Sequence, residues 1–244
     1  MKKLGLLILI SLIIGVFSCK DGEDIEPDYG TKADLLGSVK LFNEGTLELP
    51  NDSMIVSIIG SHPIISDTTD ADGNFILKDV NYGTYSISYS KNGFGFFTLN
   101  HVYHQKGETF ISTIPQLGQY SSTHITQLTA NVGGSNISIF ATTDPNASSG
   151  NMRYLRFFFS ASDNISSIHY DGFSSIVIAQ MNPFEYKLNL HKLIDMGFNS
   201  GDKIWVKAYG ESLHSNDYID LITGNHIFPN LNLHSAAAVS FIMP

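Results

Sequence analysis

Short apolar runs rich in β-branched and aromatic residues recur between clusters of Gly, Asn, Asp and Ser, and this spacing confines the chain to β structure. Residues 35–42, 54–59 and 84–89 are such runs in the first half; 125–130, 136–142, 154–160, 175–179, 203–209 and 236–242 follow in the second. Tyr85, Ile87 and Tyr89 alternate with Ser86 and Ser88, a period of two that puts the three large side chains on one sheet face. Only residues 191–196 read as helical, for one or two turns. The expectation is an all-β fold of two β-sandwich domains, over about 33–113 and about 120–244. The break falls in the polar stretch 118–123 after Pro115. The second has the six or seven strands of an immunoglobulin- or fibronectin-like sandwich, with Trp205 on a strand whose inward face the pattern leaves open.

In the first half, Asp72-Gly73 predicts a hairpin turn, because glycine tolerates positive φ and an aspartate can accept hydrogen bonds from nearby amides; Phe75 then enters the core. Asp70-x-Asp72-x-Asn74 also matches the opening of an EF-hand calcium loop. The twelfth position is Asn81 rather than Glu and the flanks are strands, so a turn satisfied by its own side chains, with no metal, is expected.

The order Gly37-Ser38-Val39, the turn 70–75, Asp79-Val80, Gly83-Thr84-Tyr85 and Lys91-Asn92-Gly93-Phe94 resembles the carboxypeptidase regulatory-like domain over roughly 80 residues. That resemblance implies a small transthyretin-like sandwich that serves as a spacer or docking unit, with no catalytic residue and no cofactor. The insert 43–52 stands where that family has a shorter Gly-rich connection. Residues 201–210 are similar to the penultimate strand of fibronectin type III-like domains in Bacteroidota surface proteins.

The chain opens with Lys2 and Lys3, an apolar run over 4–17, then Ser18 and the single cysteine, Cys19. About 14 apolar residues fall short of the ~20 that span a bilayer, which makes residues 1–18 a signal peptide. Val16-Phe17-Ser18-Cys19 resembles the lipobox of bacterial lipoproteins, with Phe17 where a small residue is usual. The resemblance implies a diacylglycerol on the Cys19 sulfur and an acylated mature N-terminus, a membrane anchor of the kind that takes more than one chain to last. Residues 19–32 carry a run of acids with little to bury and read as a solvated tether. The segment resembles the export signal of surface lipoproteins in the Bacteroidota, which implies an outer-membrane, lipid-anchored, cell-surface location; a periplasm-facing anchor is the alternative.

Loss of Lys2 and Lys3 from 14 basic residues, with all 23 acidic ones kept, takes the formal charge from −9 to −11. Nucleic acid is excluded as a partner, because it requires a basic footprint. No Gly-x-Ser-x-Gly, His-Glu-x-x-His or phosphate loop is present, so the chain reads as non-enzymatic. His101-x-x-His104 is the closest metal-like pair, yet residues three apart on a strand face opposite ways. The remaining histidines, His169, His191, His214, His226 and His234 among them, read as surface residues.

Aromatics carry the remaining signal. Phe157-Phe158-Phe159 must turn at least one ring away from a one-sided core. Tyr154, Phe158, Tyr170 and Phe173 are therefore the candidate binding residues, for an envelope protein partner or a polysaccharide, unless the other domain or loops cover both faces. The function expected is a non-catalytic, lipid-anchored binding or assembly module of the cell envelope, or else a carbohydrate-binding accessory of a glycan-uptake system.

Overall fold

The computed structural model describes residues 30–134 and 136–244. Cys19, the signal peptide and the tether up to residue 29 lie outside the described residues. Among the described residues, twenty strands and one short helix form an all-β architecture around two main apolar clusters.

The first sandwich contains β1 (Lys32–Ser38), β2 (Lys40–Phe42), β3 (Glu48–Leu49), β4 (Ile55–Ile58), β5 (Ser66–Thr68), β6 (Asn74–Asn81), β7 (Gly83–Ser90), β8 (Phe97–His104), β9 (Thr109–Phe110) and β10 (Gln116–Gly118). One sheet runs β5-β4-β7-β8, and facing it are β6-β1-β9 and β10-β2-β3. Leu35, Leu41, Val56, Phe75, Leu77, Ile87 and Tyr89 are buried between them. Tyr85 is only half-buried, its hydroxyl donating to the Asn81 carbonyl, so it packs at the edge of this core.

The run 35–42 is two strands rather than one. Val39 donates its amide to the Gly73 carbonyl and Lys40 donates to that of Pro115, so the chain leaves β6 for β10 at this point. Residues 116–118, which fall between the two domain spans expected from sequence, pair parallel with β2 and bury Leu117 in the first core. At the tip before β6, Gly73 has φ +87°. Asp70 Oδ1 accepts from the amides of Asp72 and Asn74 at 3.0 and 2.8 Å, which makes this the self-satisfied turn.

The second sandwich contains β11 (His124–Gly133), β12 (Asn136–Asp144), β13 (Arg153–Ser160), β14 (Gly172–Phe173), β15 (Val177–Ala179), β16 (Phe184–Leu188), α1 (Leu190–Asp195), β17 (Lys203–Glu211), β18 (Tyr218–Ile219), β19 (His226–Ile227) and β20 (Val239–Ile242). Sheet β11-β12-β16 packs on a sheet in which β13 pairs with β17 and β17 with β20, while β14 and β15 share the free edge of β13. Leu155, Phe157 and Phe159 point inward with Ile204, Val206 and Ala208. The outward set is Arg156 and Phe158 from β13 with Trp205, Tyr209 and Glu211 from β17, which settles the face that carries Trp205. Every residue of β13 is buried, so loops must cover its outer face as well.

Polar bonds and ring contacts join the two sandwiches. Glu44, in the insert 43–52, accepts from Arg153 Nη2 at 2.8 Å and from the Ser122 amide and hydroxyl at 2.8 Å each. Buried Asn216 donates to the carbonyls of Gly95 and Gly118, and buried Asn230 accepts from the Gly95 amide and donates to the Gly118 carbonyl. The contact is close enough to need glycine: a Cβ on Gly118 would lie 2.4 Å from the His214 carbonyl oxygen.

Candidate functional site

The outer face of the β13–β17 pair carries a third apolar cluster, built on Phe158, Ile165, Tyr209, Phe228 and Leu231, with Tyr170 and Phe173 packed against it. Phe158 lies at its centre, 5.2 Å from Tyr170 and 5.2 Å from Phe228 between ring centroids. Two loops, before β14 and after β17, supply the covering layer.

A charged network runs from buried Arg156 and Glu211 under that layer to part-buried Asp217 and His226 at its edge. Arg156 Nε donates to Glu211 Oε2 at 3.1 Å and Nη1 to the Ser174 carbonyl at 3.2 Å, while Nη2 stands 4.0 Å from Asp217 Oδ1. Its guanidinium lies 4.7 Å over the Phe228 ring and 5.6 Å over that of Phe173. Burial pushes the Glu211 carboxyl up to about 7 against the opposing pull of Arg156. Burial acts to raise Asp217 as well. There the hydrogen bonds from Ser215 and His226 and the charges of Arg156 and His226 outweigh it and hold the group below the usual carboxylate range.

His226 Nε2 contacts Asp217 Oδ2 at 2.6 Å, and its ring stacks on Phe228 at 4.6 Å with an interplanar angle of 2°. Tyr170 packs edge-on to Phe173 at 5.5 Å, and burial raises its hydroxyl with Arg156 opposing. Beside them opens a cavity of about 330 Å³, lined by Ile168 and Tyr170 from the first loop and by Ile219 and residues 224–227 from the β18–β19 hairpin. Asp220 Oδ1 fastens the hairpin tip by accepting from the amides of Ile222 and Thr223 at 2.8 and 2.9 Å.

The hairpin is braced from the first sandwich. Asn100 Nδ2 donates to the Ile219 carbonyl at 2.8 Å, and Tyr218 packs edge-on to Phe96 and Phe97. A smaller cleft of about 290 Å³ lies in the first sandwich between β8 and the segment 109–113, flanked by exposed Tyr103 and Phe110.

The four aromatic candidates thus divide. Tyr170 walls the cavity and Phe173 is half-buried behind it, between Arg156 and His226. Tyr154 and Phe158 are corrected from exposed candidates to buried residues, 4% and 0% exposed, because the loops cover the outer face of β13. His214 and His226 are not simple surface residues either: the first stacks on Phe42 at 4.1 Å in the contact between sandwiches and the second joins the network. His101 is exposed while His104 is fully buried, its ring nitrogens near Thr109 Oγ1 and the carbonyls of Ala33 and Val80, so the pair does not converge.

Sequence reasoning passed over Arg156, Glu211 and Asp217. Arg156 had a visible signal: a cation inside the apolar run 154–159 must find a buried partner.

Among the described residues no group of three or more His, Cys, Asp or Glu side chains could hold a metal ion. Glu211 is wholly buried, and Ser215 bonds to the Asp217 carboxylate rather than to the His226 imidazole. The arrangement is therefore suited to holding a surface in shape, not to presenting a nucleophile.

No protein-family model matches the chain, and no curated protein matches it either. Among solved structures, a type II cohesin–X-dockerin complex from Acetivibrio cellulolyticus is 21% identical over 36% of this chain, with a TM-score of 0.30; the match spans 59% of that chain's own length. A candidate carbohydrate-binding protein from Bacteroides uniformis is 12% identical, with 87% of this chain and 100% of that one covered and a TM-score of 0.29. The first three fibronectin domains of chicken contactin-1 are 11% identical over 87% of this chain and 68% of theirs, with a TM-score of 0.31.

Proposed function

We propose that the protein is a non-catalytic binding or assembly module of the cell envelope, lipid-anchored at Cys19 on the outer membrane and held off the surface by its acidic tether. In this reading residues 33–113 are a carboxypeptidase regulatory-like spacer, residues 120–244 carry the binding sandwich, and the ligand meets the cavity walled by Tyr170 and His226. The observation that carries it is the layer over β13, where buried Arg156 and Glu211 pair with each other, and part-buried Asp217 ties Arg156 to His226, a wall of the cavity. Burying such charges is costly unless their partners are fixed, and fixed partners give the cavity walls a defined shape.

The anchor is tested by fractionation. Cys19→Ala is expected to move the protein from washed membranes to the soluble fraction; a mutant that stays in the membranes contradicts the anchor. A second reading, a carbohydrate-binding accessory of a glycan-uptake system, is favoured by Tyr170, since an aromatic ring beside polar His226 and Asn225 suits the apolar face and polar rim of a sugar.

A further inference from the structure

The geometry points to a ligand class for this cavity, an uncharged pyranose ring or pair of rings, an inference that rests on the carbohydrate reading above. Size is the first argument. At about 330 Å³ the cavity is at the small end of the ~300–1,000 Å³ typical of ligand sites, enough for a chain end rather than a long glycan.

Charge is the second. An anionic sugar needs an available cation, best a bidentate arginine. Arg156 is the cation in this network, and it is committed to Glu211 and the Ser174 carbonyl between two phenyl rings, with 4% of its surface exposed. A uronate or sulfate would meet no free partner there, while the chain as a whole carries a formal charge of −9. Cationic ligands fare no better. No carboxylate lines the cavity: Asp217 is paired with Ser215 and His226, Glu211 with Arg156 and the Ser212 amide, and Asp220 turns its Oδ1 to the amides of Ile222 and Thr223.

The polar groups that line the cavity are hydrogen-bonding ones, and any charge on His226 is matched by the Asp217 carboxylate it contacts. The contact of His226 Nε2 with Asp217 leaves Nδ1 as the ring's other polar atom, and Asn225 and the Tyr170 hydroxyl add donors and acceptors among Ile168, Ile219 and Ile227. Apolar walls with a few polar atoms match the two faces of a hexose, whose C–H face can lie on Tyr170 while its hydroxyls reach His226 and Asn225.

The test is calorimetric titration and array binding of the mature protein with neutral gluco-, galacto- and manno-oligosaccharides and with two acidic probes, oligogalacturonate and a sulfated heparin fragment. At least one neutral series is expected to bind, with affinity unchanged between low and high salt and reduced tenfold or more in Tyr170→Ala. Because Tyr170 also packs on Phe158, Asn225→Ala, on the exposed hairpin, is measured beside it and is expected to weaken binding with unchanged melting. Acidic probes that bind and are lost in the same variants would overturn the neutral-ligand inference while leaving the carbohydrate reading standing. Neutral binding indifferent to both variants would overturn the site, and no binding by either class would overturn the carbohydrate reading itself.

Discussion

The two sandwiches solve one problem in different ways. In the first, β6 alternates over residues 74–78, with Phe75 and Leu77 inside and Ile76 and Lys78 exposed, so this strand needs only one covered face. In the second, β13 is buried along its whole length, and the loops before β14 and after β17 build a third layer over it. Loops carry polar groups, and a polar group taken from water must be paired. The layer that hides Phe158 therefore also hides Arg156 and Glu211, with Asp217 half-buried beside them, and at its rim the loops part into a cavity. The simpler sandwich holds the β18–β19 hairpin from behind. Shape on one side is maintained by support from the other.

If the third layer is a true core, Phe158→Ala costs about 3–5 kcal/mol, as much as Phe157→Ala on the inner face, in chemical denaturation. A loss below about 1 kcal/mol at Phe158 alone would show that the loops lie loosely on the sheet.

The next effect is in pH. Glu211 sits at about 7 in the folded protein against 4.5 for an ordinary glutamate, so the folded state holds the extra proton between those values. Stability from this group is full below about 4.5 and is lost as pH rises through about 7, by at most about 3 kcal/mol. Glu211→Gln is expected to flatten the decline between pH 5 and 8 in melting curves; an unchanged slope would place the proton elsewhere. Asp217 acts in the opposite sense and lower: its contribution is present above the ordinary aspartate range and falls away as pH drops through its lowered value.

For the first sandwich, Gly73→Val is expected to cost about 2 kcal/mol, since φ is +87° and a Cβ would lie 2.3 Å from the Val39 carbonyl oxygen. Melting with and without millimolar calcium should coincide, because the Asp70 carboxylate is already used by two amides. A calcium-dependent rise abolished by Asp70→Ala would make the turn a metal loop.

The smallest effect is at the contact between the two sandwiches. Glu44→Ala is expected to cost about 1 kcal/mol and to separate the unfolding of the two units in calorimetry, since it breaks the part-buried pair with Arg153. A single unchanged transition would assign the coupling to the other contacts between the sandwiches, Asn216 and Asn230 among them.

Much of the architecture was legible because alternation is local: 84–89 and 203–209 announce their strands, and Asp72-Gly73 announces its turn. The break at Val39 was not, because it depends on the carbonyls of Gly73 and Pro115, far away along the chain. β16 was passed over although Phe184, Tyr186 and Leu188 alternate with Glu185 and Lys187. At the site, Tyr170 and Phe173 stood out as aromatics, whereas the odd ring of the phenylalanine triplet read as an exposed candidate and is buried, because the layer that covers it comes in part from the loop after β17, distant along the chain. Which charges would meet there was not visible, because Arg156 reaches Glu211 only through the register that sets Tyr154 opposite Glu211 and Arg156 opposite Tyr209.

The measurement that bears most directly on the account is an amide chemical-shift titration of the labelled mature protein with a bound neutral oligosaccharide. The account predicts shifts concentrated at 165–173 and 218–228, around the cavity of the second sandwich, with 97–113 of the first unmoved. Shifts concentrated instead along the β8–β9 cleft, at Tyr103 and Phe110, would contradict it and make the first sandwich the binding unit.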